Sequence, residues 1–175
     1  YTKAHVISPS EFTYTASDGM NDYPISNAFD DNYDTYYISK LANSESNKNF
    51  IEISFKKKEK LQMFFIDQIV SNEGIVQGYP TKINVYASVG NNPYTLKNRF
   101  DGPPNPYWKR VSFNFYQMFE CDKLKIEFEE VSSQTIVGNS TNLVISDIYF
   151  IRFMNETTYT GTNYEYSSEA YLNTY

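Results

Sequence analysis

The strongest constraint on this chain is a period of two. "TKINVYASV" (81–89) sets Ile83, Val85 and Ala87 on one face, and "KLKIEFEE" (123–130) alternates Leu124, Ile126 and Phe128 with Lys123, Lys125, Glu127 and Glu129. "NFIEISF" (49–55) places Ile51, Ile53 and Phe55 against Phe50 and Glu52, and "WKRVSFNF" (108–115) repeats the pattern with Val111, Phe113 and Phe115. Successive side chains of a strand point to opposite faces, so such segments bury one face and wet the other only as β-strands. "LQMFFIDQIVS" (61–71) and "LVISDIYFIRF" (143–153) are apolar enough to be buried central strands. No window carries a convincing helical period.

Between these segments lie turn-rich pieces: "KKKEK" (56–60), "SNEGIVQGYP" (71–80), "VGNNPY" (89–94), "DGPPNPY" (101–107) and "SSQTIVGNST" (132–141). Many short strands with such connections predict an all-β antiparallel sandwich, a jelly roll, over residues 1–153. Residues 154–175 are polar and tyrosine-rich without alternation, and read as a tail or linker. If successive strands run up and down, the loops near 38–48, 72–79, 100–107 and 131–142 share one end. The turns near 56–60, 90–93 and 116–121 and the chain after Phe153 share the other. The first set is longer and richer in aromatics and amides, so it is the expected binding rim.

Composition narrows the function. The net charge of −6 disfavours nucleic acid and anionic lipid, whose surfaces reward the opposite sign. No apolar run reaches the ~18–20 residues of a membrane span. One cysteine, Cys121, leaves no internal disulfide and no multi-cysteine zinc site. The chain opens at Tyr1 without a leader, which reads as an excised domain or mature fragment of a larger protein. Two sequons, at Asn139 and Asn155, mildly favour an extracellular or cell-surface setting.

"SNAFDDNYDTYY" (26–37) holds the densest carboxylates of the chain. Asp30, Asp31 and Asp34 are too close in sequence to flank a scissile bond, and the lone histidine, His5, begins a strand-like "HVIS" with no nucleophile beside it. No enzyme activity is expected. Asp30-x-Asn32-x-Asp34 imitates the first half of an EF-hand, but Thr35 stands where that loop needs glycine and Leu41 where it needs glutamate. A strand-edge calcium cage, completed by a second segment, is the reading that remains beside a plain solvated turn.

The ordered set "AFDDNYDTYY" (28–37), "NFIEISF" (49–55), "INVYAS" (83–88) and "VISDIYF" (144–150) resembles the discoidin, or coagulation-factor C-type, domains. These are galactose-binding-domain-like jelly rolls that include the family 32 carbohydrate-binding modules, and the likeness covers roughly residues 5–153. It implies a structural Ca2+ held by the Asn27 carbonyl, the Asp30 carboxylate, the Asn32 side chain, Thr35 through hydroxyl and carbonyl, the Ser146 carbonyl and the Asp147 carboxylate, about seven oxygens in all. It also explains Asp147, a charge inside an apolar strand, since a buried carboxylate needs a cation or donors. The chain departs from the pattern at Asp31, where glycine is usual, and at Tyr37, where tryptophan is usual. Ile38 occupies the position of a histidine that often contacts galactose, no arginine follows Val70–Ser71, and the framing cysteines of many animal relatives are missing.

For the rim, the expected ligand-binding residues are Tyr36, Tyr37 and Lys40, then Asn72, Glu73 and Tyr79, then Phe100 and Tyr107, with Trp108 assigned to the core. Aromatics that stack on a sugar ring beside amides and carboxylates that bond its hydroxyls suit a glycan or glycoprotein. The expected function is therefore a non-catalytic carbohydrate-binding module, accompanied by other domains of its parent chain. A protein–protein adhesion module on the same fold is the alternative. A lipid-binding module is third, with Ile75 and Val76 as its apolar spike.

Overall fold

The computed structural model describes residues 5–71, 74–102, 108–132 and 140–153. Its strands are β1 (Phe12–Ala16), β2 (Tyr37–Ile38), β3 (Phe50–Asp67), β4 (Pro80–Ser88), β5 (Thr95–Asp101), β6 (Arg110–Val131), β7 (Val144–Ile145) and β8 (Asp147–Arg152), with 3₁₀ turns at Pro9–Glu11 and Ile25–Phe29. The order β1-β3-β6-β4-β5 is antiparallel throughout, β8 adds to β3, and β2 pairs with β7 separately. The expected all-β sandwich is present.

Two of its strands correct the sequence reading. "KKKEK" is not a hairpin turn, and no turn occurs at 116–121. β3 and β6 each run unbroken through those segments and pair on either side of two irregularities, between Ser54 and Glu59 and between Leu61 and Met63, where 55–58 of β3 and 115–118 of β6 bulge out of the β3–β6 register. Bulges let a strand pass from one layer of a sandwich to the other. Residues 50–55 of β3 thus sit in one layer with β1, β4 and β5, while residues 61–67 sit in the other with β8. The layers meet through rings: Phe55 and Phe12 each lie edge-on to Phe150, at 5.9 and 5.7 Å, and Phe100 lies edge-on to Phe64 at 5.8 Å.

Inside the bend, Glu59 is buried and receives the Arg152 guanidinium, Nε at 3.2 Å and Nη2 at 3.0 Å, while Arg152 also reaches Glu11 at 3.0 Å. His5 is buried rather than at the surface, and its carbonyl accepts from the Arg152 N–H at 2.8 Å.

A bend that folds a strand over onto the opposite layer returns it to the end it came from, as a hairpin does. The expected grouping of loops therefore survives the error. Asn43 N–H donates to the Thr141 carbonyl, Val144 N–H to Gly78, and Ser132 N–H to Tyr79, all within 3.0 Å, which ties loops 38–48, 74–79 and 140–143 and the end of β6 at Ser132 into one rim. At the other end the Phe153 N–H donates to Lys60, and Gly90 N–H donates to Asp122.

Candidate functional site

The acidic loop is built by local bonds and then pinned to the last strand. The 3₁₀ turn Ile25–Phe29 buries Ala28 and Phe29, which leaves Asp30 at its end, pointing out of the core. Asp31 takes φ +54°, the left-handed conformation that glycine usually supplies and aspartate tolerates, and its carboxylate accepts from the Tyr149 hydroxyl at 2.6 Å. Asp30 Oδ1 accepts from the Asn32 N–H at 3.1 Å, and Asp30 Oδ2 accepts from the Thr35 hydroxyl. The same hydroxyl lies 3.1 Å from the Asn32 carbonyl. Asn32 turns its side-chain oxygen to the Asp34 N–H at 3.0 Å, so its backbone carbonyl, not its amide, stands beside Asp30 and Thr35. Asn27 closes the loop by donating to the Tyr36 carbonyl at 3.0 Å, and Ser146 Oγ donates to the Tyr33 carbonyl at 2.7 Å.

Asp147 is the anomaly. It is 1% exposed, its Oδ1 has no hydrogen-bond partner, and β8 sets it directly across from Asp67 of β3. Burial, then the carboxylates of Asp67, Asp30 and Asp31, push its pKa up to about 7, against which the Asn32 N–H works. Asp67 is itself neutralised by Arg110, whose Nε and Nη2 reach its two oxygens at 2.7 and 3.0 Å. The uncompensated charge is therefore Asp147, and like charges facing across strands are destabilising unless something positive joins them. Among the described residues no three His, Cys, Asp or Glu side chains converge on one point. A cation here would take carbonyl and hydroxyl oxygens as well, which is how hard calcium is held. The donor set fits that ion. A mainly apolar cavity of about 480 Å³ opens beside the loop, lined by Val6, Ile7, Phe12, Phe29 and Ile148, with Asp31, Arg110, Asp147 and Tyr149 at its polar side.

The rim separates into residues that face out and residues that do not. Tyr37 is fully buried in the core and donates to the Ser17 carbonyl at 2.9 Å, and Tyr79 is 1% exposed, so neither presents a ring to a ligand. Phe100 packs on Phe64, Phe113 and Phe115 and belongs to the core as well. Tyr37 lies in the buried run 37–39 and Tyr79 in the buried run 76–80, so no alternation marks which way either ring faces. Asn72, Glu73 and Tyr107 lie outside the described residues, as do the sequons at Asn139 and Asn155. Tyr36 is half-buried, with its ring stacked on Tyr23 at 5.1 Å, and Lys40 is exposed.

Several residues beside the loop escaped the sequence reading, among them the exposed Lys109 and the buried Gln68 and Asp67. Tyr33 bonds the Gln68 carbonyl at 2.8 Å and lies under the Lys109 ammonium at 3.8 Å, while Gln68 Nε2 donates to the carbonyl of the half-exposed Trp108 at 3.2 Å. Asp67 carried the same signal as Asp147, a charge within an apolar run. Val76 is buried and bridges Val70, which leaves Ile75 alone where a two-residue spike was expected.

The fold is an antiparallel β-sandwich of the kind seen in the family 32 carbohydrate-binding modules. Among solved structures the chain is similar to the family 32 module of NanJ from Clostridium perfringens, determined in complex with galactose: TM-score 0.64, 20% identity, 83% of this chain and 97% of that one. It is similar to the paired modules of ZmpB from the same organism, determined with GalNAc, at TM-score 0.66 and 14% identity over 88% of this chain and 36% of that one. A putative chitobiase fragment from Bacteroides thetaiotaomicron aligns at TM-score 0.65 and 14% identity, covering 89% and 99%. No family model and no curated protein matches the sequence.

Proposed function

We propose that this chain is a non-catalytic carbohydrate-binding module of a larger secreted or cell-surface protein, stabilised by a structural calcium ion and binding glycan at its rim. The observation that carries the reading is the buried, partnerless Asp147 oxygen beside the Asp30–Thr35 loop, in a fold shared with structures solved with galactose and GalNAc. Asp30, Thr35 and the Asn32 carbonyl would hold the ion from one side, and Asp147 and the Ser146 carbonyl from the other. Bound there, the ion supplies positive charge and a fixed point joining loop to strand. That join positions Tyr33 and Tyr36, which lie on the same loop.

At the rim, Tyr36 backed by Tyr23, together with Trp108, offers ring faces for stacking, and Lys40 and Lys109 offer donors. Ile38, at the position of the galactose-contacting histidine, is buried and pairs with Val144. Recognition of sugar hydroxyls must therefore come from other residues, and this favours the protein-adhesion reading as the second one. Among the described residues no helix is long and apolar enough to cross a membrane.

The test is a glycan array probed with the calcium-loaded chain and repeated in EDTA. Binding competed away by a free monosaccharide supports the glycan reading and names its class. A blank array from a folded, calcium-responsive sample overturns it in favour of a protein partner.

A further inference from the structure

A second polar concavity lies away from the rim, on the outer face of the layer formed by β1, β3 and β6. It measures about 370 Å³, inside the ~300–1,000 Å³ range of small-molecule sites, and is lined by Thr13, Tyr14, Thr15, Glu52, Ser54, Tyr94 and Lys123. Strand register fixes its floor: Thr15 lies opposite Glu52, Thr13 opposite Ser54, and Ser54 opposite Lys123. Glu52 and Lys123 are then diagonal neighbours, about 7–8 Å apart across the strands. Its roof is Tyr94, placed there by a fixed loop. Gly90 takes φ +61°, and its N–H donates to both oxygens of Asp122 at 3.1 Å.

The polar groups of this groove are free to bond a ligand. Among the described residues, the hydroxyls of Thr13, Thr15 and Ser54 have no hydrogen-bond partner, and Lys123 has neither hydrogen bond nor ion pair. Glu52 accepts only from the Tyr94 hydroxyl, at a long 3.4 Å. Burial and the Glu52 carboxylate push the Tyr94 pKa up to about 12, so the hydroxyl stays a donor across the physiological range.

The chemistry selects a ligand class. The groove is lined by one carboxylate and one ammonium, Lys125 opposite Glu52 being turned over the Phe50 ring, so an anion would meet Glu52 and a cation would meet Lys123. A neutral ring bearing neighbouring hydroxyls satisfies both at once, because each hydroxyl donates and accepts. The three free hydroxyls of the floor extend the same pattern, and a ring face is present in Tyr94. We infer that this groove is a second glycan site, taking a neutral mono- or disaccharide against the sheet face and independent of the rim.

Amide chemical shifts of the labelled full chain, titrated with galactose, N-acetylgalactosamine, lactose and maltose, test it. The expected result is saturable movement of the amides of 13–15, 52–54 and 123 with at least one of these sugars, and a loss of affinity of about tenfold or more in Tyr94→Ala. Ser54→Trp fills the groove from an exposed position and serves as the second variant if Tyr94→Ala does not fold; it should lower the affinity read from the groove shifts by about tenfold or more as well. Shifts confined to 38–48 and 140–143 overturn the groove while leaving the rim reading intact. Shifts confined to the groove support it and count against the rim. Groove shifts that survive both variants, or no shift with any of the four sugars, overturn it.

Discussion

Asp147 carries the most consequence of any residue because its environment is unfinished. In the metal-free chain its folded pKa is raised to about 7 from an ordinary 3.8, so between those values the folded protein holds a proton that the unfolded chain has released. Stability then falls as pH rises through that window, and the loss is complete above about pH 7. Thermal melting of the chelated protein should show a midpoint that declines from pH 5 to pH 8. Asp147→Asn, which cannot ionise, should flatten that decline and raise the metal-free midpoint at pH 8; a parallel pH profile in variant and parent would argue against a buried carboxylate. Calcium competes with the same proton, so its affinity should strengthen over the same interval and level off above it. Tyr37 gives the contrasting case. Tyr37→Phe removes a buried hydroxyl bonded to Ser17 and should cost about 0.5–1.5 kcal/mol of stability by denaturant melting, with no change in glycan binding.

At the level of elements, the strands were legible and their continuity was not. Alternation identified the paired segments of β3, β4 and β6 because one face of each is buried and the other wet, and that is a local property. Whether 56–60 turns or bends depends on the partner strand, which carries its own irregularity at the same height; no window of sequence contains both. The run "KKKEK" reads as solvent-exposed, yet Glu59 faces inward to Arg152, a residue far along the chain. The acidic stretch was legible as a compact loop, since Asp30 and Thr35 do bond each other, and Asp147 stood out as a charge within an apolar strand; the calcium role of these residues is a proposal. Tyr37, Tyr79 and Phe100 were misread as rim because a tyrosine-rich chain uses the same residue for packing and for recognition. The bend yields its own prediction. Glu59→Ala strands Arg152 with Glu11 alone and should lower stability by about 2–3 kcal/mol, whereas Lys57→Ala and Lys58→Ala, on the exposed side, should stay within about 0.5 kcal/mol. Urea denaturation of the three variants decides; equal effects would mean that the bend is held by the backbone alone.

For the whole molecule, the placement of loop, rim and sheet face separates what calcium should control from what it should not. Tyr33 and Tyr36 belong to the loop that the ion would fix, and Ser146 bonds the Tyr33 carbonyl directly, so loosening the cage loosens the rim. The groove under Tyr94 rests instead on β1, on Glu52 and Ser54 of β3, on Lys123 of β6 and on the Gly90–Asp122 contact, whereas the cage meets β3 at its other end, through Asp67. An ion that binds only the folded chain stabilises it by mass action, about 2.7 kcal/mol at a hundredfold excess over its dissociation constant. Added calcium should thus raise the melting midpoint of the parent protein and leave that of Asp30→Ala unmoved, as seen by differential scanning calorimetry with and without EDTA. In the same pair of proteins, sugar binding at the rim should weaken on chelation, and chemical shifts at the sheet-face groove should not respond. A rim that binds sugar equally well in EDTA would leave the ion a purely thermal role, with Tyr33 and Tyr36 held by Gln68, Ser146, Asn27 and Tyr23 alone.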